Sequence, residues 1–188
     1  MRFSRALRAV LALVCASAIA LTAAGCAPAD PKPTKTPTPT KTAIFASEEE
    51  ALQAAVDVYQ QFNAAFDQVT AEGEAAEDEL SEVVTDEYFT EQTSEESFAD
   101  RGWHTEGSSS FRNAELASLN QDGKSAKVQI ALCRDVSNQR IIDENGNDVT
   151  DENRTSALIP LSVTMIWDDE SSALLISETG LWDESQVC

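Results

Sequence analysis

The chain has 188 residues, with 13 lysines and arginines against 33 aspartates and glutamates, for a formal net charge of −20. That length holds one domain with appendages and leaves no room for two separate cores. The acid excess excludes a nucleic-acid binder, which needs a basic face to neutralise phosphates, and it disfavours electrostatic docking on anionic lipid.

The chain opens with Arg2, Arg5 and Arg8, followed by an uncharged stretch from Ala9 to Leu21. The stretch is too short for a bilayer span of about 20 apolar residues and long enough for the apolar part of a signal peptide. It leads into Leu21-Thr22-Ala23-Ala24-Gly25-Cys26. Small residues before a cysteine resemble the lipobox of bacterial lipoproteins, with Ala23 standing where that motif usually has Leu. The resemblance implies cleavage before Cys26 and a diacylglycerol on its sulfur. The alternative is an ordinary signal peptide cleaved nearby. Lipidation at roughly 0.8 kcal/mol per buried CH₂, with two or more chains, anchors a protein stably.

Residues 1–25 are therefore read as a lipoprotein signal peptide, 26–43 as the lipidated cysteine and a tether, and 44–188 as one domain. The tether holds five of the six prolines, interleaved with threonines and with Lys32, Lys35 and Lys41. Such a stretch favours extended polyproline conformations and reaches roughly 50 Å at about 3.1 Å per residue. From Ala43 onward there are 7 basic and 32 acidic residues. Solvation of the domain accounts for that excess ahead of salt adaptation or cation binding.

The domain begins with a capping box, Ser47 with Glu50, and an apolar stripe of Leu52, Val56, Tyr59, Phe62, Phe66 and Val69. The spacing predicts a helix of about 22 residues ended by Gly73. A second helix is expected over Ala75 to Val84 and a short third piece near Ser94 to Arg101. After Trp103 the period becomes that of strands. Phe111 to Leu119 precedes a turn at Asn120-Gln121-Asp122-Gly123, and Ala126, Val128, Ile130 and Leu132 alternate with outward residues. Asn145-Gly146 marks a second, longer hairpin. Ala157 to Trp167, with Leu161, Val163, Met165 and Trp167 on one face, and Ser172 to Trp182 complete an antiparallel meander. Helices first and a meander after define an α+β domain.

Four cysteines are present. Cys15 leaves with the signal and Cys26 takes the lipid, so Cys133 and Cys188 remain as an even pair in an oxidising compartment. Joined, they would pin the last strand's end to an inner strand. Two free thiols, or a Cys/His pair with the single histidine, His104, are the alternatives.

Two or three N-terminal helices on a curved antiparallel sheet of four or more strands resemble the NTF2-like (SnoaL-like) cone, over about residues 46 to 188. Within that fold the chain is similar to secreted Gram-positive lipoproteins of uncharacterised function. There an inner strand ends in Cys-x-Asp, a hairpin turns on Asp/Asn-Gly, and the last strand ends in Cys. Here these are Cys133-Arg134-Asp135, Asn145-Gly146 and Cys188. The family implies no single activity, since it spans isomerases, dehydratases, epoxide hydrolases and non-catalytic ligand-binding or assembly modules.

An isomerase of this fold needs a buried carboxylate base and donors for an oxyanion. Tyr59, His104, Arg134 and Asp135 are the candidates. Core packing explains Tyr59 ahead of catalysis, as a loop explains His104 and a local charged pair or turn contact explains Arg134 and Asp135. No catalytic residue is assigned. Asp143 to Asp148, with Asp151 and Glu152, looks superficially like a calcium loop, but its glycine stands fourth where an EF-hand needs it sixth, and a hairpin tip explains the letters. No metal and no cofactor are expected. Trp103, Trp167 and Trp182 either narrow a pocket, mark a partner surface or pack the sheet.

The expectation is a lipid-anchored protein on the extracytoplasmic face of the cell membrane. Its non-catalytic NTF2-like domain would bind a small apolar ligand or an envelope protein, through Tyr59, Trp103, His104, Trp167 and Trp182. The alternatives are an isomerase or dehydratase, and a structural module that uses an apolar outward sheet face around Trp167.

Overall fold

The computed structural model describes residues 43–73, 77–93, 99–151, 156–183 and 186–188. Residues 1–42, where the signal peptide, the lipobox and all but the last residue of the tether are expected, lie outside the described residues. The domain is α+β, with helices packed on one four-stranded antiparallel sheet in the manner of an NTF2-like cone.

Helix α1 spans Glu48–Glu72. The Ser47 hydroxyl accepts from the Glu50 N–H at 3.1 Å, and the Glu50 carboxylate accepts from the Ala46 N–H at 2.7 Å, so the predicted cap forms. Gly73, at φ +70°, ends the helix. Its buried line is Ala51, Ala55, Tyr59, Phe62 and Ala65, whereas Leu52 and Val56 are only partly buried. The alanines let the backbone approach the sheet closely, and this turns the expected stripe slightly aside.

Of the second helix expected over Ala75 to Val84, residues 75–76 lie outside the described residues, and helix α2 spans Glu77–Ser81, ending short of Val84. Leu80, Val83 and Val84 are buried as expected. Val83 and Thr85, however, exchange backbone hydrogen bonds with Ile176, and so cover part of a sheet edge instead of extending the helix. Helix α3, Asp86–Gln92, was not anticipated; the Thr85 hydroxyl caps it through the Tyr88 N–H. Of the piece expected at Ser94 to Arg101, residues 94–98 lie outside the described residues, and Ala99–Arg101 is one 3₁₀ turn.

The strands are β1 (His104–Glu106), β2 (Ser110–Gln121), β3 (Ala126–Asp135), β4 (Arg140–Ile142), β5 (Leu158–Asp168) and β6 (Ala173–Leu181). The main sheet runs β2-β3-β5-β6, and β1 pairs with β4 in a small second sheet. His104 is thus a strand residue opposite Ile142, not part of a loop. The expected Asn145-Gly146 hairpin forms beyond β4, with Gly146 at φ +82°. Register shifts in β2, with Asn113 at φ 54°, and between β5 and β6 bend the sheet around α1.

Cross-strand pairing lays the inner face out in rows. Phe111, Arg134 and Ile159 form the outermost. Leu132, Leu161 and Leu181 follow, then Leu116, Ile130, Val163 and Thr179, then Leu119, Val128, Met165 and Ile176. Trp167 and Leu174 sit at the far end. There Trp167 meets Phe45 edge to face at 5.9 Å, and Gln121 holds the Phe45 backbone through two hydrogen bonds.

On the outer face Ala131 and Cys133 are fully buried. Val187 is buried too; its carbonyl accepts from Asn113 Nδ2 at 2.7 Å, and Cys188 is disulfide-bonded to Cys133, with Cα atoms 5.0 Å apart. The free-thiol and Cys/His alternatives are thereby set aside. The bond spans a sequence separation of 55. Cys188→Ser should lower unfolding free energy by about 4 kcal/mol in the chain-entropy view, measured by urea denaturation without reductant. Adding a reductant should then change the wild-type midpoint and leave the variant's unchanged.

Candidate ligand site at the open end of the sheet

Arg134 follows Leu132 on the inner face, so a guanidinium enters an otherwise apolar surface. A charge at such a position needs a partner and filled hydrogen bonds. Asp67 supplies the countercharge from α1, with Arg134 Nη2 3.2 Å from its Oδ1 and side chains only 14% and 12% exposed. The same Oδ1 accepts from Gln139 Nε2 at 2.9 Å, and Oδ2 accepts from the Ser109 N–H at 2.7 Å. Ser109 Oγ lies 2.8 Å from Asp67 Oδ1 and 3.0 Å from Asn63 Oδ1, and it accepts from Arg134 Nε and Nη2. A hydroxyl has one proton, so it donates to one of those oxygens at a time.

Asn63, Phe66 and Asp67 stand one and two turns beyond Tyr59 on α1, which is why one helix face delivers all of them. The Phe66 ring lies 5.2 Å from the guanidinium carbon. Ser109 is positioned by Gly107, at φ +90°, where a Cβ would fall 2.0 Å from the Asn138 carbonyl oxygen. That contact locks the β1–β2 turn against the β3–β4 turn. Beside the cluster an open groove of about 560 Å³ runs between α1 and the 107–111 segment, with Asn63, Asp67, Ser109 and Phe111 among its lining residues.

Tyr59 is fully buried, its ring 4.8 Å from Phe111 in an edge-to-face contact. Its hydroxyl has no hydrogen-bond partner among the described residues. Burial pushes its pKa up to about 12, opposed by the Arg134 charge. The phenol is therefore a proton donor at any physiological pH. The Tyr88 hydroxyl shares a hydrogen bond with Thr179 Oγ1 at 2.9 Å, and burial raises its pKa as well.

The other residues singled out from the sequence do not gather here. Trp103 and His104 belong to the small sheet region, where the Arg101 guanidinium lies 5.8 Å from the Trp103 ring. Trp167 is at the opposite end of the main sheet and packs inward against Phe45, its Nε1 donating to Asp169, so it is not itself part of an outward face; its neighbour Ile166 points outward and is 39% exposed. Trp182 follows β6, its N–H donating to the Pro160 carbonyl at the Arg134 end. The local Arg134–Asp135 pair is replaced. Asp135 points the other way, accepts from the Ser137 N–H and hydroxyl, and meets Arg112 at 3.4 Å. Asp143 accepts from Asn145 and Asn147 as a turn residue, and among the described residues no group of three or more His, Cys, Asp or Glu is placed to hold a metal ion.

Asn63, Asp67, Ser109 and Gln139 are the residues that the sequence reading missed. The available signal was the placing of Asn63 and Asp67 four and eight positions after Tyr59, on the buried side of a helix.

No family model matches the chain, and no curated protein matches it. Among solved structures it is similar to the intermembrane space region of the chloroplast protein ARC6, at 16% identity and a TM-score of 0.49, over 71% of this chain and 97% of that one. It is also similar to an iota-carbonic anhydrase from a cyanobacterium complexed with bicarbonate, at 16% identity and a TM-score of 0.34, over 80% of this chain and 99% of that one. Both scores lie below 0.5, and neither bears on the chemistry of the site.

Two outcomes follow from the cluster. Asp67→Ala strands a nearly buried guanidinium and should cost about 3 kcal/mol or more, while Asp67→Leu combined with Arg134→Met should recover most of it, by thermal and urea unfolding. Folded Tyr59 also holds its proton more tightly than the unfolded chain does. Its contribution is full below pH 10 and is lost as pH rises towards 12, by about 2–3 kcal/mol in total. Tyr59→Phe should flatten that decline, leaving the part due to Tyr88.

Proposed function

We propose that this chain is a bacterial lipoprotein held on the extracytoplasmic face of the cell membrane through Cys26. Its NTF2-like domain is a non-catalytic module that binds a small apolar molecule at the open end of the sheet. The observation that carries the binding role is an apolar lip. Leu181 is 79% exposed, and its register with Leu161 places it on the inner face beside the Arg134 row. An exposed leucine on the concave side of a sheet, next to partly buried Leu161, suits an apolar guest better than water.

The outer face is a poorer docking surface, because Lys127, Glu115 and Glu178 are exposed along it. This favours the ligand over an envelope-protein partner or a sheet-to-sheet assembly. Asp67 is the carboxylate nearest to the role of a general base, and it is already occupied by Arg134, Gln139 and Ser109; this supports binding over isomerase chemistry. The disulfide suits an oxidising compartment. No helix among the described residues is long and apolar enough to cross a membrane.

Metabolic labelling of growing bacteria with a palmitate analogue should mark the protein, and Cys26→Ser should abolish the mark; a labelled variant would reject the anchor. Native mass spectrometry of the chain taken from those membranes should show an added small mass that leaves on denaturation. An unliganded mass throughout counts against the binding role.

A further inference from the structure

The groove of about 560 Å³ beside the Asp67 cluster is a different place from the apolar lip, since neither Leu161 nor Leu181 lines it. Its helix side is formed by Gln60, Ala64, Gln68 and Ala71, all exposed and spaced by three and four. They make one outward flank of α1, turned from the buried line of Tyr59, Phe62 and Ala65. The 107–111 segment stands across from them, and its position is fixed in advance of any guest. Asn63 Nδ2 donates to the Ser109 carbonyl at 3.3 Å, and the Ser109 N–H donates to Asp67 Oδ2 at 2.7 Å, so two backbone atoms of Ser109 are tied to α1. The volume is that of a small-molecule site.

The surface left for a guest is amphiphilic. The half-buried Phe111 ring and the methyls of Ala64 and Ala71 are carbon. The side chains of Gln60, Gln68 and Ser108 line the groove with no hydrogen-bond partner among the described residues. Carboxamides and hydroxyls each donate and accept. A sugar ring has the same two-sided character, with a face of C–H groups and a rim of hydroxyls that donate and accept. Gln60 and Gln68 are eight residues apart, about 12 Å along the helix axis, which exceeds one such ring.

We propose that this groove binds a neutral oligosaccharide of two or more sugar rings laid along the flank of α1. Phe111 meets a ring face, and Gln60, Gln68 and Ser108 hold hydroxyls. Neutrality follows from the lining. No Lys, Arg or His is in it to hold an anion, whereas Asp67 and Glu72 are. Asp67 is already balanced by Arg134 at 3.2 Å, and Glu72 is exposed to water, which weakens its hold on a cation. The site is independent of the apolar-ligand reading above and stands without it.

The test uses the full-length chain and four disaccharides of one size, titrated by saturation-transfer NMR. Cellobiose and N,N′-diacetylchitobiose are neutral, deacetylated chitobiose is cationic, and cellobiouronic acid is anionic. At least one neutral disaccharide should bind, about tenfold more tightly than either charged one. Ala64→Trp, at an exposed position, fills the groove and should abolish that binding with the thermal midpoint unchanged. Gln60→Ala and Gln68→Ala should each weaken it about fivefold, as loss of one hydrogen bond requires. Binding of neither neutral disaccharide, or binding indifferent to Ala64→Trp, would overturn the inference. Tighter binding of a charged disaccharide would overturn it as well, and deacetylated chitobiose in that place would mark the groove as a cation site.

Discussion

A guanidinium carried on the inner face of a sheet needs a carboxylate within reach and an acceptor for each enclosed N–H. In this domain that requirement organises the open end. Asp67 must face the sheet, which fixes the rotation of α1 about its own axis. Ser109 must stand between α1 and β3, and Gly107 permits it by lying flush against the Asn138 carbonyl. Gln139, just beyond β3, closes the ring of donors around Asp67. One ion pair thereby ties together helix, sheet and the two turns beside them, each member costly to remove singly.

The opposite end is held by apolar contact, with Phe45 against Trp167 and the Phe45 backbone clasped by Gln121. The outer face is held covalently, through Cys133 and Cys188. Polar, apolar and covalent restraints thus act on three different parts of one sheet. The polar end brings together an exposed leucine, an ion-paired arginine and a buried phenol. The binding proposal is placed there because the other two regions have spent their chemistry on packing.

The meander was legible because each strand alternates visibly, as in Ala126, Val128, Ile130 and Leu132, and because Asp-Gly and Asn-Gly supply turns. Helix α1 was legible from its cap and stripe. Helix α3 was overlooked although Thr85 and the acidic Asp86 and Glu87 begin it, since seven residues give little periodicity to read. Strands β1 and β4 are three residues each and exist through pairing with one another, which no local pattern announces. The cluster around Asp67 was hidden for a different reason. Its members come from α1, the β1–β2 turn, β3 and the turn after it, and their meeting is a property of the register. Of the two expectations for Arg134 and Asp135, the turn contact forms at Asp135 through Ser137, while strand alternation sends the two side chains to opposite faces and so prevents a local pair.

The sequence distances between contacting residues bear on how the protein folds. Asp67 meets Ser109 and Arg134 across 42 and 67 residues, Phe45 meets Gln121 across 76, and Tyr88 meets Thr179 across 91. Helix α1 leads the domain, yet Met165 and Ile176, which lie against its core, come more than a hundred residues after Tyr59. Its apolar face therefore stays bare until the last strands are available, and the sheet must close over it in a late, concerted step. High contact order of this kind makes folding slow, and an amphipathic helix left uncovered in the meantime exposes the chain to aggregation.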